Sequence, residues 1–496
     1  MLYKSIDWIL QDPQYLSWRD EDDVCLLWIK GGAGKGKTMM SIGLIEQLFL
    51  PQDESTVVTY FFCQNANSEL NTLESIIKGL IKQLVTQKNE LHKVLQRRWD
   101  NTKQSYNEDI TSWRTLWDIF LQMLEQCTCS RVFVIVDALD ECQDDGMADF
   151  LRCLVRTGLH LPSKYKWLLT SRPLDSAERE LLAGSDQVLV SLELNSKHIS
   201  KAVAIYIAGK VKELDRRCRY GPVLVQEVQA ELAKRAEDTY LWVSLVCKVL
   251  ENVPRDDALS SIQDLPPGLD DFYHRAMTQL SKGDLALAKG CMRLLKVMML
   301  AYRPMSKAEL LSVSGLSNGS VPVEVLVDRC ASFVKMRGDT DIEFNHQSAR
   351  DYLAGQNGQL GLEAEQHYGH SEIALSCLSY LSHQLKPNIV DLPRPDSTRQ
   401  LMKTNQLLKS SAYAATFWAQ HLKDARQTMP IHNALTKDGE VSKFLCKKSL
   451  EWLECLSLLD KLSTAIEAST TLAITADVSN QRIDLLIITK LKACLD

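Results

Sequence analysis

The sequence predicts an α/β core, a parallel five-stranded sheet with helices on both faces. A helical domain, a winged-helix-like domain and a C-terminal helical domain follow it. Three observations predict this. Short β-branched and aromatic runs alternate with longer helical patterns up to about residue 195. Those runs lack the period-two alternation of a half-exposed strand, as expected of strands covered on both faces. Beyond that point strand signals thin out and helical periodicity dominates.

The strand runs are Leu26 to Ile29, Val57 to Phe62, Val132 to Val136, Lys166 to Ser171 and Val188 to Leu192. Between the second and third, Leu73, Ile76, Ile77, Leu80, Ile81 and Leu84 fall at helical spacing within Thr72 to Leu84, a stripe made for core packing. Ile199 to Val211 and Val223 to Leu250 read as two long amphipathic helices. Pro266, Pro267 and Gly268 then punctuate the chain, and helices are expected near Asp270 to Leu280 and Leu285 to Leu300. Pro304 to Leu311 reads as another helix start, with Ser306 as N-cap and Glu309 at capping-box spacing. Two short strands, near Ser332 to Met336 and Ile342 to Asn345, flank Arg337, Gly338 and Asp339. Helices followed by a small hairpin give a winged helix. From about residue 365 the pattern is helical again, interrupted by Lys386 to Pro395, and no repeat of 20 to 50 residues is visible.

At 496 residues, roughly 150 per domain, the chain should hold about three packed units. Hydrophobic residues at 45% and charged residues at 24% exclude a disordered or supercharged chain. With 57 basic and 63 acidic residues the net charge is -6, so no global field gathers nucleic acid or anionic lipid. The 14 cysteines include no CxxC pair; Cys127 and Cys129 form only a CxC, and reduced thiols in the cytoplasm fit best. The N-terminus lacks the pattern of a cleaved export signal. The longest apolar stretch, Leu294 to Tyr302, is about half a membrane span and is interrupted by Lys296, so no membrane is expected.

Gly31, Gly32, Ala33, Gly34, Lys35, Gly36, Lys37 and Thr38 match GxxxxGK(S/T), directly after the run Leu26 to Ile29 and before a helical stretch opening at Met39. Triphosphate oxygens crowd the backbone here, so glycines let the chain wrap without Cβ clashes and aim successive N–H groups inward. The following helix adds its N-terminal partial charge. Lys37 is expected to reach the β and γ phosphates and Thr38 to coordinate Mg²⁺. Gly31 to Met39 are therefore the candidate nucleotide-binding residues.

The run Val132 to Val136 ends in Asp137, with Asp140 and Glu141 close behind, which delivers carboxylates to the edge where open α/β sheets bind ligands. Asp137 is expected to hold Mg²⁺, and Asp140 or Glu141 to polarise an attacking water. Three carboxylates beside a triphosphate need a divalent cation between them. The next strand runs into Arg172, a candidate γ-phosphate sensor. No (N/T)KxD string is present, which favours adenine over guanine. The expected boundaries are a lead-in helix over 1–24, the nucleotide-binding domain over 25–195, a helical domain over 196–265, a winged-helix-like domain over 266–360 and a helical domain over 361–496.

With these residues in place, the chain resembles the NACHT branch of the STAND P-loop NTPases, particularly fungal proteins related to innate-immunity and incompatibility receptors. Ile6 to Ile9 and Trp18 leading into Leu27 to Gly31, Tyr60 to Cys63, Leu80 to Leu84, Asp137 to Cys142 and Leu169 to Pro173 look like the family's lead-in, strand 2, first helix, Walker B and sensor 1. Tyr240 to Val243 and Leu265 to Leu269 resemble its helical and linker segments. Tyr413 to Trp418 and Trp452 to Leu456 resemble the helices that precede its repeats.

The resemblance implies a switch: ADP holds a closed monomer, and ATP permits opening and self-oligomerisation on activation, with slow hydrolysis. It places His346, in Phe344 to Ser348, against the ADP β-phosphate. Trigger and effector proteins are implied but not identified. Family members carry an N-terminal effector and C-terminal repeats. Neither is evident, so the chain is a central module, a fragment or a reduced member. Two further functions stay open, a scaffold that binds nucleotide without hydrolysing it and a winged-helix DNA-binding regulator. The acidic balance disfavours the second, and Arg216, Arg217 and Arg219 read better as a solvated helix face.

Overall fold

The computed structural model describes residues 6–49, 55–102, 112–160, 164–173, 180–181, 187–192, 195–282, 284–316, 321–338, 340–355, 362–390, 405–425, 429–436 and 438–478. The chain divides into two compact units, Met1–Phe272 and Tyr273–Asp496.

In the first unit five strands form one parallel sheet: β1 (Leu26–Lys30), β2 (Thr56–Phe62), β3 (Arg131–Asp137), β4 (Tyr165–Ser171) and β5 (Gln187–Ser191), in the order β2-β3-β4-β1-β5. All five lie within two residues of the runs read from the sequence. The register is continuous, with Trp28 beside Leu169 and Val134 beside Trp167. Every residue from Val132 to Asp137 is buried, as a strand covered on both faces requires.

The helices Leu73–Gln87, Trp113–Gln126 and Met147–His160 begin where a polar residue or turn stops the preceding chain. The Oγ1 of Thr72 accepts the N–H of Ser75, and the Oγ of Ser112 accepts that of Thr115, each satisfying one orphan donor of the first turn. Their apolar stripes meet the sheet in one core. There Trp117 contacts Phe150 and Trp167 at ring distances of 5.3 and 5.7 Å. Burying each such side chain stabilises the unit by roughly 1.5–3 kcal/mol, which fixes the strand ends where ligand chemistry would occur. The lead-in helix Pro13–Asp20 is capped by Asp12 and buries Tyr15 and Trp18.

The stretch Val223 to Leu250 differs from the sequence reading. It is two helices, Gly221–Arg235 and Tyr240–Leu250, separated by Glu237 and Asp238 with φ of 46° and 57°. Apolar periodicity continues across the break, so the sequence pattern carried no mark of it. Ser196–Cys218 is the helix expected over Ile199 to Val211. Arg217 pairs with Glu251 at 3.0 Å and Arg219 caps that helix, which makes the basic patch a helix end.

The second unit holds the helices Leu285–Leu300, Lys307–Ser314 and Val323–Arg329 and an antiparallel sheet of β6 (Met305–Ser306), β7 (Val334–Arg337) and β8 (Asp341–Phe344), in the order β6-β8-β7. That is a winged-helix arrangement. Strand β6, only two residues long, is below what patterning can detect. The capping box is present: Ser306 N–H donates to Glu309 at 2.9 Å and Glu309 N–H to Ser306 Oγ at 3.3 Å. Glu309 is 4% exposed, and the guanidinium of Arg303 pairs with it at 2.6 Å. Helices Leu362–Gln384, Gln406–Asp424, Glu440–Leu458 and Ser463–Val478 complete the unit around Trp418, Phe444 and Trp452. Asp339 and the part of Lys386 to Pro395 beyond residue 390 lie outside the described residues.

Candidate functional site

Strand β1 ends at Lys30, and the loop that follows is anchored on both sides. Gly31 N–H donates to the Ser171 carbonyl of β4 at 3.1 Å, and Leu192 N–H donates to the Lys30 carbonyl at 2.8 Å. Gly34 and Gly36 adopt φ of 69° and 88°, the left-handed region that favours glycine. A Cβ on Gly34 would stand 2.8 Å from Leu241 and one on Gly36 2.8 Å from the Tyr240 ring, so space and backbone both demand glycine. The helix Lys37–Phe49 starts immediately, two residues before the expected Met39. Free amides at a helix start and in a glycine-rich loop of this kind are the groups that suit an anion.

Lys37 Nζ donates to the carbonyls of Gly31 and Gly32 at 2.6 and 2.9 Å, which places an ammonium on the loop's own backbone. Thr38 Oγ1 donates to Asp137 Oδ2 at 2.7 Å, and Ser41 Oγ, one turn on, donates to Asp137 Oδ1 at 2.6 Å. Thr170 Oγ1 donates to the same Oδ1 at 2.6 Å and accepts the Ala138 N–H at 3.0 Å. Asp137, 1% exposed, is thus a buried carboxylate holding three hydroxyls, two from the helix Lys37–Phe49 and one from β4.

After Asp137 the chain turns sharply through Ala138 (φ 55°) into the short helix Leu139–Glu141. That turn brings both further carboxylates to the sheet edge. Asp140 Oδ1 accepts the Arg172 N–H at 3.0 Å, and its Oδ2 lies 3.3 Å from Arg172 Nε. Glu141 Oε2 accepts the Asn65 N–H at 3.1 Å. Burial raises the Glu141 carboxyl to about 7, against the pull of the Asn65 amide in the other direction; Asp140 adds to the rise and Arg172 opposes it.

The candidate residues of the first unit converge at one sheet edge, with differences in detail. Gly31, Gly32, Ala33, Gly34 and Gly36 lie in the loop between β1 and the helix Lys37–Phe49. The Lys35 side chain leaves it, Nζ donating to the Glu237 carbonyl at 2.8 Å. Met39 sits half-buried in the helix's first turn. His346 belongs to the second unit, where it caps the helix Gln347–Ala354, its Nδ1 accepting the Ser348 N–H at 3.1 Å. Ser41, Thr170 and Asn65 were not singled out by sequence. Ser41 could have been, since it lies three residues after Thr38 on the same helix face. Thr170 stands two residues before Arg172 on β4, and only the strand pairing reveals its role.

The donor set fits a metal–phosphate ligand. One hydroxyl oxygen and one carboxylate, 2.7 Å apart, are the sparse oxygen ligands that Mg²⁺ takes when phosphates and water complete its shell. Among the described residues no group of three or more His, Cys, Asp and Glu is placed to hold a metal by itself.

The family described as Nephrocystin 3, N-terminal, matches residues 4–172, the segment that carries this loop and acidic edge. The vegetative incompatibility protein HET-E-1 of Podospora anserina is 32% identical across 94% of this chain. The chain is thus similar to a NACHT-type protein over most of its own length. The chain spans 36% of the length of HET-E-1. Solved structures overlap it loosely. A Walker-type ATPase of Pyrococcus abyssi is 14% identical, covering 71% of this chain and 95% of that one at a TM-score of 0.32. An ORC2 protein of Aeropyrum pernix is 12% identical, covering 74% and 93% at 0.31. Neither overlap is close enough to bear on the site. Among the described residues no helix is long and apolar enough to cross a membrane.

Proposed function

We propose that this chain is a NACHT-type, nucleotide-dependent signalling switch of the fungal receptor type, binding ATP or ADP with Mg²⁺ and hydrolysing ATP slowly. One observation carries the reading: the hydroxyl of Thr38, in the first turn after the glycine loop, meets the buried carboxylate of Asp137. The loop amides and Lys37 bind the phosphates, while Thr38 and Asp137 hold the cation, which neutralises charge developing on the phosphates. Arg172, which Asp140 orients from 3.3 Å, reads the terminal phosphate in this proposal.

Glu141 accepts the proton of an attacking water when ionised. Its carboxyl raised to about 7 leaves it only partly ionised at neutral pH, in keeping with slow turnover. The same feature supports the second reading, a scaffold in which nucleotide is never hydrolysed. The segments 25–195, 196–265, 266–360 and 361–496 act as nucleotide, helical, winged-helix and C-terminal helical parts of the switch. His346 contacts the ADP β-phosphate in a closed state, and ATP permits opening and self-association in the cytoplasm.

Moving the closed to open ratio from 1:99 to 99:1 takes about 5.5 kcal/mol of differential binding, so trigger or ring contacts must add to one histidine. The test is the nucleotide released on denaturing the purified protein, followed by turnover of Glu141→Gln. Bound ADP and a loss of turnover support the hydrolytic switch. Bound ADP with no turnover in wild type leaves the scaffold, turnover unchanged in Glu141→Gln removes Glu141 as the base, and GDP overturns the adenine assignment.

A further inference from the structure

We infer that Lys35 is a positioning residue that ties the phosphate loop to the turn Ala236–Thr239, so that closure of the loop on a polyphosphate is relayed to the helical segment 196–265. The inference deepens the switch reading and rests on it. Two lysines of the loop differ in what they hold. Lys37 Nζ donates within the loop, to the carbonyls of Gly31 and Gly32, whereas Lys35 Nζ donates outside it, to the Glu237 carbonyl at 2.8 Å.

The two segments meet along more than this bond. Leu241 N–H faces the Gly34 carbonyl at 3.5 Å, Thr239 and Leu241 fill the space a Cβ on Gly34 would need, and the Tyr240 ring covers Gly36. Any rearrangement at Gly34 to Gly36 therefore displaces Thr239 to Leu241.

The turn itself carries backbone strain. Glu237 and Asp238 are consecutive non-glycine residues in the left-handed region, which L side chains adopt only against steric resistance. Three side-chain bonds hold them there: Lys35 Nζ and Thr239 Oγ1 donate to the Glu237 carbonyl at 2.8 and 3.1 Å, and Ser200 Oγ donates to Asp238 Oδ1 at 2.5 Å. One of the three comes from the phosphate loop. A strained turn held partly by the loop that binds the ligand is a bistable element whose equilibrium both sides bias, and such coupling is reciprocal.

The experiment is amide hydrogen exchange on the full chain for wild type, Lys35→Met, Lys35→Arg and Glu237→Gly, each without nucleotide and at a Mg-ADP concentration that saturates that variant. Wild type should exchange amides 236–242 about tenfold more slowly with Mg-ADP. Lys35→Met should lose that difference while amides 37–41 stay protected by nucleotide, and Lys35→Arg should restore it. Glu237→Gly, which removes the steric resistance, should slow exchange of the turn without nucleotide and shrink the nucleotide effect. Unchanged protection at 236–242 in Lys35→Met overturns the relay. So does a Lys35→Met protein that cannot be saturated, which would make Lys35 a phosphate ligand. Wild type that takes up no nucleotide sinks the switch and the relay together, whereas the other two outcomes sink the relay alone.

Discussion

At the scale of single residues the site is organised by Asp137. Its two oxygens accept three hydroxyls, and Thr170 adds a bond to the Ala138 amide that starts the turn toward Glu141. Thr170→Val keeps the shape but removes both the donor to a buried carboxylate and the acceptor of a buried N–H. It should lower stability by about 1.5–3 kcal/mol in urea titration, with reduced nucleotide affinity. Glu141 gives a second expectation. Its folded value of about 7 lies above the ordinary 4.5, so the folded protein binds more protons than the unfolded chain between those values. Stability of the nucleotide-free protein should therefore fall as pH rises from about 4.5 to about 7, and Glu141→Gln should remove that slope.

At the scale of elements, much was legible because the physics is local. All five strands of the large sheet were readable as apolar runs, since a strand buried on both faces needs no partner to announce itself. The capping box at Ser306 was equally visible, and Ser306→Ala should cost about 1 kcal/mol, read as a lower midpoint for the second unit. What the sequence hid depends on distant packing. The break at Glu237 and Asp238 interrupts an unbroken apolar periodicity, and one of the three bonds that hold it comes from the phosphate loop some two hundred positions earlier. The same dependence explains why Lys35 read as a phosphate ligand: the motif fixes its place in the loop, and only the fold shows where its side chain goes. The loop glycines were legible in kind, but the demand at Gly36 comes jointly from its φ of 88° and the Tyr240 ring. Gly36→Ala should lower stability by at least about 1–2 kcal/mol and weaken nucleotide uptake, measured by thermal unfolding and by titration.

For the whole molecule, two compact units with separate cores call for two unfolding events rather than one. Calorimetry should resolve them, and Mg-ADP at about a hundred times its Kd should add about 2.7 kcal/mol to the transition of the unit that carries the loop. Polyphosphate capture by the amides of Gly31 to Thr38, completed by the Lys37 ammonium and a cation on Asp137, is what every step of the proposed switch requires. Isothermal titration calorimetry of the folded, nucleotide-stripped chain with Mg-ADP tests this most directly. Saturable binding that Lys37→Ala abolishes, with its circular dichroism unchanged, is the predicted result. Absence of heat from wild type with either adenine or guanine polyphosphates in magnesium buffer would contradict it.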